Sequence, residues 1–277
     1  MVSKDQRRRQ LAREKFERQQ QRRSVARRKT KRRNVIVASA VAVALAAGVA
    51  AYASAGLTGG DEAASSDQAA SAPPAPKNPC GAPAKGTASK KTWKKEPAMS
   101  VDTSASYAAK LSTTCGTIEL KLDPGKAPHT VNSFAFLAGQ GYFDHSKCHR
   151  LVDAGIHVLQ CGDPTATGSG NPGYSLPDEN LKDPRLKGGV YPAGTVAMAN
   201  SYDGKDEKTR NSGGSQFFLV FQDSRLPPNY TPFGTITGGM DVLRKIADAG
   251  ATSPDPQTGN TAPHAHVVID KATVTKS

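Results

Sequence analysis

Residues 211–221 constrain the fold more than any other part of this chain. They read Asn-Ser-Gly-Gly-Ser-Gln-Phe-Phe-Leu-Val-Phe, so a glycine pair runs directly into an apolar run. Glycine permits the backbone angles of a tight turn, and the aromatic residues after it favour a strand. Because side chains alternate across a strand, Gln216 and Phe218 should share one face, with Phe217 and Leu219 on the other. An amide beside an aromatic ring suits an extended peptide ligand, whereas the alternative is a buried strand with a satisfied glutamine.

The sequence on either side consists of short strands separated by turns rich in Gly and Pro. Alternating apolar positions predict strands over residues 107–111, 117–122 and 266–275. Apolar side chains at helical spacing predict two helices, one soon after Pro128 and one over residues 240–249. Many short strands with two separate helices predict a mainly β fold, a closed antiparallel barrel with a helix over each end.

The positive charge of the chain is concentrated at its amino end. The formal net charge is +13, and residues 1–33 alone carry 15 Lys and Arg against three acidic residues. The remaining residues carry 22 Lys and Arg against 21 Asp and Glu, so the folded part should be nearly neutral. A neutral surface does not follow a phosphate backbone, and we therefore expect no nucleic acid partner. We interpret residues 1–34 as a basic cytoplasmic segment attracted to anionic lipid head groups.

Residues 35–57 form a run of 23 residues without a charge. A helix needs about 20 apolar residues to cross a membrane, so this run predicts a transmembrane helix or signal anchor. Basic residues precede the run and Asp61 and Glu62 follow it, which places the amino end in the cytoplasm. The alternative is a cleaved secretory signal with Ala53-Ser-Ala55 as the cleavage site. Either way, we expect the rest of the chain outside the cytoplasm, held at the cell membrane or secreted.

The remainder of the chain divides into a linker and a folded domain. Residues 58–103 are dominated by Ala, Ser, Pro, Gly and Lys. Such a composition cannot bury enough apolar surface to offset chain entropy, and it predicts a flexible linker. Residues 104–277 carry the predicted strands and helices and are the expected domain.

The chain has four cysteines, an even number in a region expected outside the cytoplasm, which favours disulfides. They are Cys80, Cys115, Cys148 and Cys161. Of the three pairings that four cysteines allow, we favour Cys148–Cys161 across a predicted hairpin, with Cys80–Cys115 joining the linker to the first strand. The alternative is a metal site in which His145 and His149 join Cys148 and Cys161, although their spacing matches no known zinc signature.

Five short blocks occur in a fixed order in the second half of the chain. They are His149-Arg150, Val-Leu-Gln-Cys-Gly-Asp at 158–163, Gly-Thr-Val-Ala-Met-Ala-Asn at 194–200, Gly-Ser-Gln-Phe-Phe at 214–218 and Pro-Phe-Gly-Thr at 232–235. On these blocks, the segment from about residue 104 to residue 275 resembles the cyclophilin-type peptidyl-prolyl cis-trans isomerases. The resemblance implies the cyclophilin barrel and an enzyme that isomerises X-Pro bonds.

The chemistry of that reaction agrees with the residues in these blocks. Rotation about an X-Pro bond has a barrier of about 20 kcal/mol, because the amide loses resonance in the twisted state. A catalyst needs no metal or cofactor, only an apolar slot for the proline ring and a cation near the prolyl nitrogen. The resemblance implies that Arg150 is the principal catalytic residue and that Gln160 and Gln216 orient it.

The resemblance also implies which residues bind the substrate. They are His157, Met198, Ala199, Asn200, Phe218, Leu226 and Tyr230. Two extra residues between Arg150 and Gln160 leave Ile156 as an alternative to His157 at an aromatic position of the pocket wall. A histidine there would make the activity pH-sensitive near neutrality, because a charged imidazole disfavours an apolar ring.

The expected function is that of a membrane-tethered, extracytoplasmic peptidyl-prolyl isomerase that assists the folding of exported proteins. Its partners would be unfolded or flexible chains that contain proline, and we expect a monomer. The alternative is a non-catalytic module or holdase chaperone that binds proline peptides without turnover. A hydrolase is disfavoured, because Ser215 lies in Gly-Gly-Ser-Gln-Phe and not in a Gly-x-Ser-x-Gly elbow.

Overall fold

The computed structural model describes residues 78–202, 204–255 and 260–276. The basic segment, the apolar run at 35–57 and the first part of the expected linker all lie outside the described residues. Within the described ranges, no helix has the length and apolar character needed to cross a membrane.

The described chain folds into eleven short strands and two α-helices. The strands are β1 Tyr107–Thr113, β2 Gly116–Leu122, β3 Ser146–Lys147, β4 Arg150–Val152, β5 Val158–Cys161, β6 Val190–Tyr191, β7 Thr195–Met198, β8 Phe217–Val220, β9 Ser224–Arg225, β10 Pro232–Gly238 and β11 Val268–Lys276. The helices are α1 Pro128–Gly139 and α2 Met240–Asp248. Two short 3-10 segments, Pro184–Gly189 and Glu207–Thr209, lie in the connections.

Nine of these strands form one antiparallel sheet, which corrects the expected closed barrel to a curled half-barrel. Its order is β3-β11-β1-β2-β10-β7-β8-β5-β4, and β6 pairs separately with β9. The edge strands β3 and β4 are not hydrogen-bonded to each other, although only Cys148 and His149 separate them along the chain. At this seam Cys148 N donates to Val267 O, and His149 N donates to Gln160 O. The two residues therefore bridge the edges of the sheet without completing its ladder.

Helix α1 supplies much of the core beneath the sheet. Proline is favoured at the first position of a helix, where its missing N–H is not needed, and α1 begins at Pro128. The carboxylate of Glu179, from a distant loop, accepts hydrogen bonds from the backbone N–H groups of His129 and Thr130. The ring of Phe134 is buried against three other phenylalanine rings at centroid distances of 5.0 to 5.5 Å. Burying one such side chain contributes about 1.5–3 kcal/mol.

Strand β8 divides its side chains between two apolar clusters, as the alternation predicts. Phe217 and Leu219 lie in the main core under α1. Phe218 and Val220 lie in a smaller cluster on the opposite face, together with Tyr191. The second face of the sheet is therefore apolar as well, and the candidate site forms over it.

The segment at residues 78–101, here named the N-terminal strap, differs from the expected flexible linker. Gly81 N donates to Thr114 O at 2.8 Å, and Trp93 N donates to Pro172 O at 2.8 Å. Near its end, the side-chain amide of Asn132 in α1 binds backbone groups of the strap. The strap lies against the folded domain, so the domain begins well before residue 104.

Both expected cysteine pairs are bonded in the structure. Cys80 Sγ is joined to Cys115 Sγ, which attaches the start of the strap to the β1–β2 turn. Cys148 Sγ is joined to Cys161 Sγ, at the seam of the sheet. The alternative metal site is wrong, because both of the sulfur atoms it required are bonded to each other.

Candidate active site

Three polar side chains, Arg150, Gln160 and Gln216, form a line across the second face of the sheet. Arg150 on β4 lies directly opposite Gln160 on β5, and Gln160 lies opposite Phe218 on β8. Arg150 Nη1 donates to Gln160 Oε1 at 3.4 Å, and Gln160 Nε2 donates to Gln216 Oε1 at 2.9 Å. The three residues that the resemblance assigns to catalysis are thus brought together by strand register.

Gln216, at the end of the line away from Arg150, fixes how the two glutamine amides are turned. Gln216 Nε2 donates to the backbone carbonyl oxygens of Gly168 and Gly170, at 3.0 and 2.9 Å. Carbonyl oxygens only accept, so the amide nitrogen of Gln216 must face them and its oxygen must face Gln160. Because Gln160 donates to Gln216 through its amide nitrogen, its side-chain oxygen faces Arg150 and accepts from the guanidinium.

The loop that supplies these two carbonyl groups is organised by Asp163. Its buried carboxylate accepts backbone hydrogen bonds from Thr165, Gly168 and Gly170 at 2.7, 2.7 and 3.0 Å. Burial alone would raise the pKa of Asp163, but the hydrogen bonds from Thr165, Gly170 and Gly168 outweigh it and lower the pKa below its ordinary value. A Cβ atom at Gly170 would lie 1.9 Å from Asp163 Oδ1, so this close approach requires glycine.

An apolar pocket of about 190 Å³ lies beside the line of polar groups. Its lining residues are Arg150, Ile156, Val158, Gln160, Ala199, Asn200, Phe218, Leu226 and Tyr230. The pocket is small, with aliphatic and aromatic walls and with the guanidinium and an amide at its rim. Such a slot suits a single compact apolar ring next to a polar backbone.

The aromatic side of the pocket is held rigidly. The ring of Phe218 meets that of Tyr230 edge to face, with centroids 5.4 Å apart. Tyr191 Oη donates to Tyr230 O at 2.8 Å and accepts from Tyr230 N at 3.1 Å. Burial raises the pKa of Tyr191 to about 12, which keeps this hydroxyl protonated. The ring contact and the two hydrogen bonds therefore hold the aromatic wall of the pocket in place.

Two residues assigned to the pocket by resemblance lie elsewhere. Met198 is opposite Phe217 on the core face, and it is only 3% exposed. The ring of His157 packs edge to face against Phe221 at 5.7 Å and does not line the pocket. The expected pH sensitivity through His157 therefore loses its structural basis.

Their places are taken by Val158 and Ile156. Val158 was missed, although a signal was available in the sequence. It lies two positions before Gln160 on the same strand, and residues two apart share a face. Ile156, the alternative to His157, is the residue that reaches the pocket across the two-residue insertion.

A second cavity of about 440 Å³, here named the second pocket, adjoins the first. The two share Gln160, Ala199 and Asn200, so one peptide in an extended conformation can cross both. The other lining residues are Gly168, Ser169, Gly170, Asn171, Tyr174, Ser175, Ser201, Ser212, Gly214, Ser215 and Gln216. Most of these present hydroxyl, amide or backbone groups, which suits a peptide backbone better than an apolar side chain.

Asn200 shapes the boundary between the two pockets. Its Nδ2 donates to Asn229 O at 2.8 Å, and its Oδ1 accepts from Tyr202 N at 3.2 Å. The side chain therefore ties together two loops that flank the groove. Asn200 lines both pockets, where the resemblance places a substrate-binding residue.

His149, immediately before Arg150, is a buried histidine at the seam. Its two ring nitrogens are buried, and neither makes a hydrogen bond to another described residue. Burial lowers the pKa of His149, Asp163 opposes that change, and the charge of Arg150 lowers the pKa further. The neutral form of the ring is therefore favoured at pH 7.

A fold and a site of this kind define a domain of the cyclophilin class. The chain belongs to the cyclophilin family, because the family model described as "Cyclophilin type peptidyl-prolyl cis-trans isomerase/CLD" matches residues 108–274. That match covers more than half of the sequence and includes every residue of the two pockets.

Two named relatives and one solved structure are similar to this chain. It is 49% identical over 158 residues to a "Probable peptidyl-prolyl cis-trans isomerase B" of Mycobacterium leprae, covering 54% of this chain and 51% of that protein. It is 36% identical over 132 residues to a "Peptidyl-prolyl cis-trans isomerase B" of Bacillus subtilis, covering 47% of this chain and 83% of that protein. The crystal structure of a Cryptosporidium parvum cyclophilin type isomerase is 25% identical, with a TM-score of 0.48, covering 62% of this chain and 99% of that one. The chain thus spans about half the length of the mycobacterial relative.

Proposed function

We propose that this chain is a peptidyl-prolyl cis-trans isomerase whose catalytic residue is Arg150. The observation that carries the proposal is the position of Arg150, which lines a pocket of about 190 Å³ that is large enough to admit a proline ring. Arg150 forms no ion pair with a carboxylate of any described residue, so its charge is available to a substrate. The family and the names of its relatives support the same activity.

The reaction is a rotation, so the site must favour the twisted amide over the planar one. The proline ring enters the slot formed by Ile156, Val158, Phe218 and Leu226, which holds one side of the amide. As the amide twists, its nitrogen becomes pyramidal and gains a lone pair, which can accept a hydrogen bond from Arg150. This contact does not exist in the planar ground state, because the lone pair is then delocalised. No covalent bond is formed or broken.

The two glutamines keep the guanidinium in place before the substrate arrives. Gln160 Oε1 accepts from Arg150, and the chain of amides behind it ends at the rigid Asp163 loop. A donor that is already oriented does not need to reorganise as charge develops, and this lowers the barrier. Removing one such donor costs about 100- to 1,000-fold in rate, or about 2.7–4 kcal/mol.

The decisive test is the cis-to-trans rate of a short Ala-Pro peptide with the full chain and its Arg150→Ala variant. We expect acceleration by the wild type and a loss of about 100-fold or more in the variant. Arg244→Ala is the matched control, since Arg244 is exposed on α2 and is not among the residues that line either pocket. If the folded wild type binds the peptide without acceleration, the chain is a binding module. If Arg150→Ala keeps the full rate, another group stabilises the twisted amide.

The proposal extends to where the enzyme works. The charge-free run at residues 35–57 and the basic residues before it support a membrane-tethered enzyme with its domain outside the cytoplasm. Two disulfides in the described domain agree with an oxidising compartment. Its substrates would be exported chains that are still unfolded or flexible, and it would act as a monomer. Protease treatment of intact cells tests the topology, because a cytoplasmic domain would survive it.

A further inference from the structure

The N-terminal strap approaches the peptide groove at Trp93. Trp93 N donates to Pro172 O at 2.8 Å, so the strap is hydrogen-bonded to the loop at residues 171–174. Gly173 in this loop has φ +92°, and a Cβ atom there would lie 2.5 Å from Trp93 O. The two backbones are therefore in direct contact, and the contact requires glycine at position 173.

The loop at residues 171–174 is also a wall of the second pocket. Asn171 and Tyr174 both line that pocket. A Cβ atom at Gly214 would lie 3.0 Å from Pro172 Cδ and 3.6 Å from Tyr174 O. The loop is thus in close contact with both Trp93 and Gly214.

The indole ring of Trp93 is also connected to the second pocket, through Tyr142. It packs against Phe136 of α1 and against Tyr142, with centroids 5.2 and 5.8 Å apart. Tyr142 Oη is hydrogen-bonded to Ser215 Oγ at 3.3 Å, and Ser215 lines the second pocket. Both the backbone and the ring of Trp93 therefore support residues that form this pocket.

The strap is anchored on both sides of Trp93. On one side Lys91 Nζ donates to Gln140 O at 2.8 Å, and Cys80 is bonded to Cys115 further upstream. On the other side Glu96 contacts His129 Nδ1 at 3.2 Å. With both ends fixed, Trp93 has little freedom to move, and the loop that rests on it shares this rigidity.

We propose that Trp93 is a positioning residue for the second pocket, and that the N-terminal strap thereby selects for longer peptides. The proposal rests on the proposed isomerase function and adds a specificity determinant to it. Trp93 is hydrogen-bonded to Pro172 and its ring packs against Phe136 and Tyr142, and none of these three lines the proline pocket, so it should not affect a substrate that fills only that pocket. It should matter for a peptide long enough to reach Asn171 and Tyr174.

The test compares two peptides with a single proline, one of four residues and one of ten, using the full chain. In Trp93→Ala we expect kcat/KM for the ten-residue peptide to fall about tenfold through a higher KM, because a loosened wall weakens binding to it. The value for the four-residue peptide should stay within about twofold of the wild type. Trp93→Phe retains an aromatic ring against Phe136 and Tyr142, and it should restore most of the loss.

A second variant keeps the proposal testable if Trp93→Ala does not fold. Gly173→Ala places a methyl group against Trp93 O and must displace the wall, so it should show the same dependence on peptide length. Lys90→Ala, an exposed neighbour in the strap, is the control and should change neither peptide.

Fluorescence gives a readout that a purely structural role would not move. Trp93 is the single tryptophan in the sequence, so its emission reports on the strap alone. In the wild type, the ten-residue peptide should shift this emission and the four-residue peptide should not.

The outcomes separate this inference from the proposed function. If the wild type does not accelerate either peptide, the isomerase proposal fails. If it accelerates both, while Trp93→Ala and Gly173→Ala lower the two values equally or leave them unchanged, the positioning role is overturned.

Discussion

Replacing Asp163 by asparagine tests whether the orientation of Arg150, Gln160 and Gln216 depends on the loop that Asp163 organises. The change keeps the size of the side chain but turns one carboxylate oxygen into an NH₂ group. Asp163 Oδ2 accepts from the backbone N–H groups of Thr167, Gly168 and Gly170, at 3.1, 2.7 and 3.0 Å. Asp163 Oδ1 accepts from the backbone N–H and the hydroxyl of Thr165, both at 2.7 Å. An asparagine can serve only one of these two groups of donors, whichever way its amide is turned.

The cost can be worked out from these contacts. Hydrogen bonds to a charged group contribute about 1.5–3 kcal/mol each, and at least two of them are lost. We therefore expect the free energy of unfolding to fall by about 3–6 kcal/mol, a large share of the 5–15 kcal/mol typical of a domain. The carbonyl groups of Gly168 and Gly170 would no longer hold Gln216 firmly, so kcat should fall about tenfold or more in the protein that remains folded.

Urea unfolding of the full chain followed by circular dichroism measures the first effect, and isomerisation of a short Ala-Pro peptide measures the second. Asp153→Asn is the matched control, since Asp153 is exposed in the turn between β4 and β5. An Asp163→Asn protein with the stability and the rate of the wild type would refute the idea that this loop orients Arg150. The carboxylate's contribution should be complete above the ordinary carboxyl pKa and be lost as the pH falls through its lower folded value, because the native state favours the ionised form.

Three further predictions concern the histidines and a disulfide. His157→Ala should leave kcat/KM within about twofold of the wild-type value, and its dependence on pH from about 5.5 to 8 unchanged, because the ring lies outside the pocket. A tenfold loss of kcat/KM would show that His157 does line the pocket. Cys80→Ser with Cys115→Ser should lower the free energy of unfolding by about 2–4 kcal/mol in urea titrations. Reductant should lower it further in this variant, because Cys148–Cys161 is still bonded; an unchanged free energy of unfolding in the unreduced variant would show that the Cys80–Cys115 bond does not stabilise the domain. The free energy of unfolding of the wild type should fall as the pH drops below 6.5, because the unfolded chain binds a proton at His149 at a higher pH than the native state does. His149→Leu should weaken this dependence of stability on pH. An equally strong dependence in the variant would show that other groups cause it.

The sequence predicted the part of the site that depends on strand alternation and on the matched blocks. The faces of Phe217 and Phe218 followed from a period of two residues, which any strand imposes. The same rule also places Val158 on the face of Gln160 and Met198 on the face opposite Ala199, so these two positions were within reach of sequence reasoning.

Other features were beyond the sequence. The extra pair of residues between Arg150 and Gln160 lies in the turn between two paired strands, where it can be accommodated in more than one way. Which of Ile156 and His157 reaches the pocket depends on how that turn packs, and His157 is drawn away by Phe221 and by a hydrogen bond from its N–H to Ser224 Oγ. Contacts of this kind join residues more than 60 positions apart, and no local pattern records them.

The N-terminal strap shows the same limit most clearly. Its composition of Ala, Pro and Lys correctly indicates that it forms no helix or strand, and the interpretation as a flexible linker followed from that. The strap is nevertheless held by backbone hydrogen bonds at Gly81 and Trp93 and by the bond from Cys80 to Cys115. Backbone donors are the same in every residue except proline, so composition cannot show which of them find partners.

The sequence by itself indicated the family, the mainly β character and the three polar residues Arg150, Gln160 and Gln216, and it favoured the cysteine pairs that the structure shows. These depend on residue identity and on spacing along the chain, which local geometry converts into faces and hairpins. Only the tertiary structure decided that the sheet stays open at Cys148 and His149, that Ile156 and Val158 form the pocket wall, and that the strap belongs to the domain. Each of these outcomes depends on packing between segments distant in sequence, where the free energy of burial and of long-range hydrogen bonds is shared by both partners.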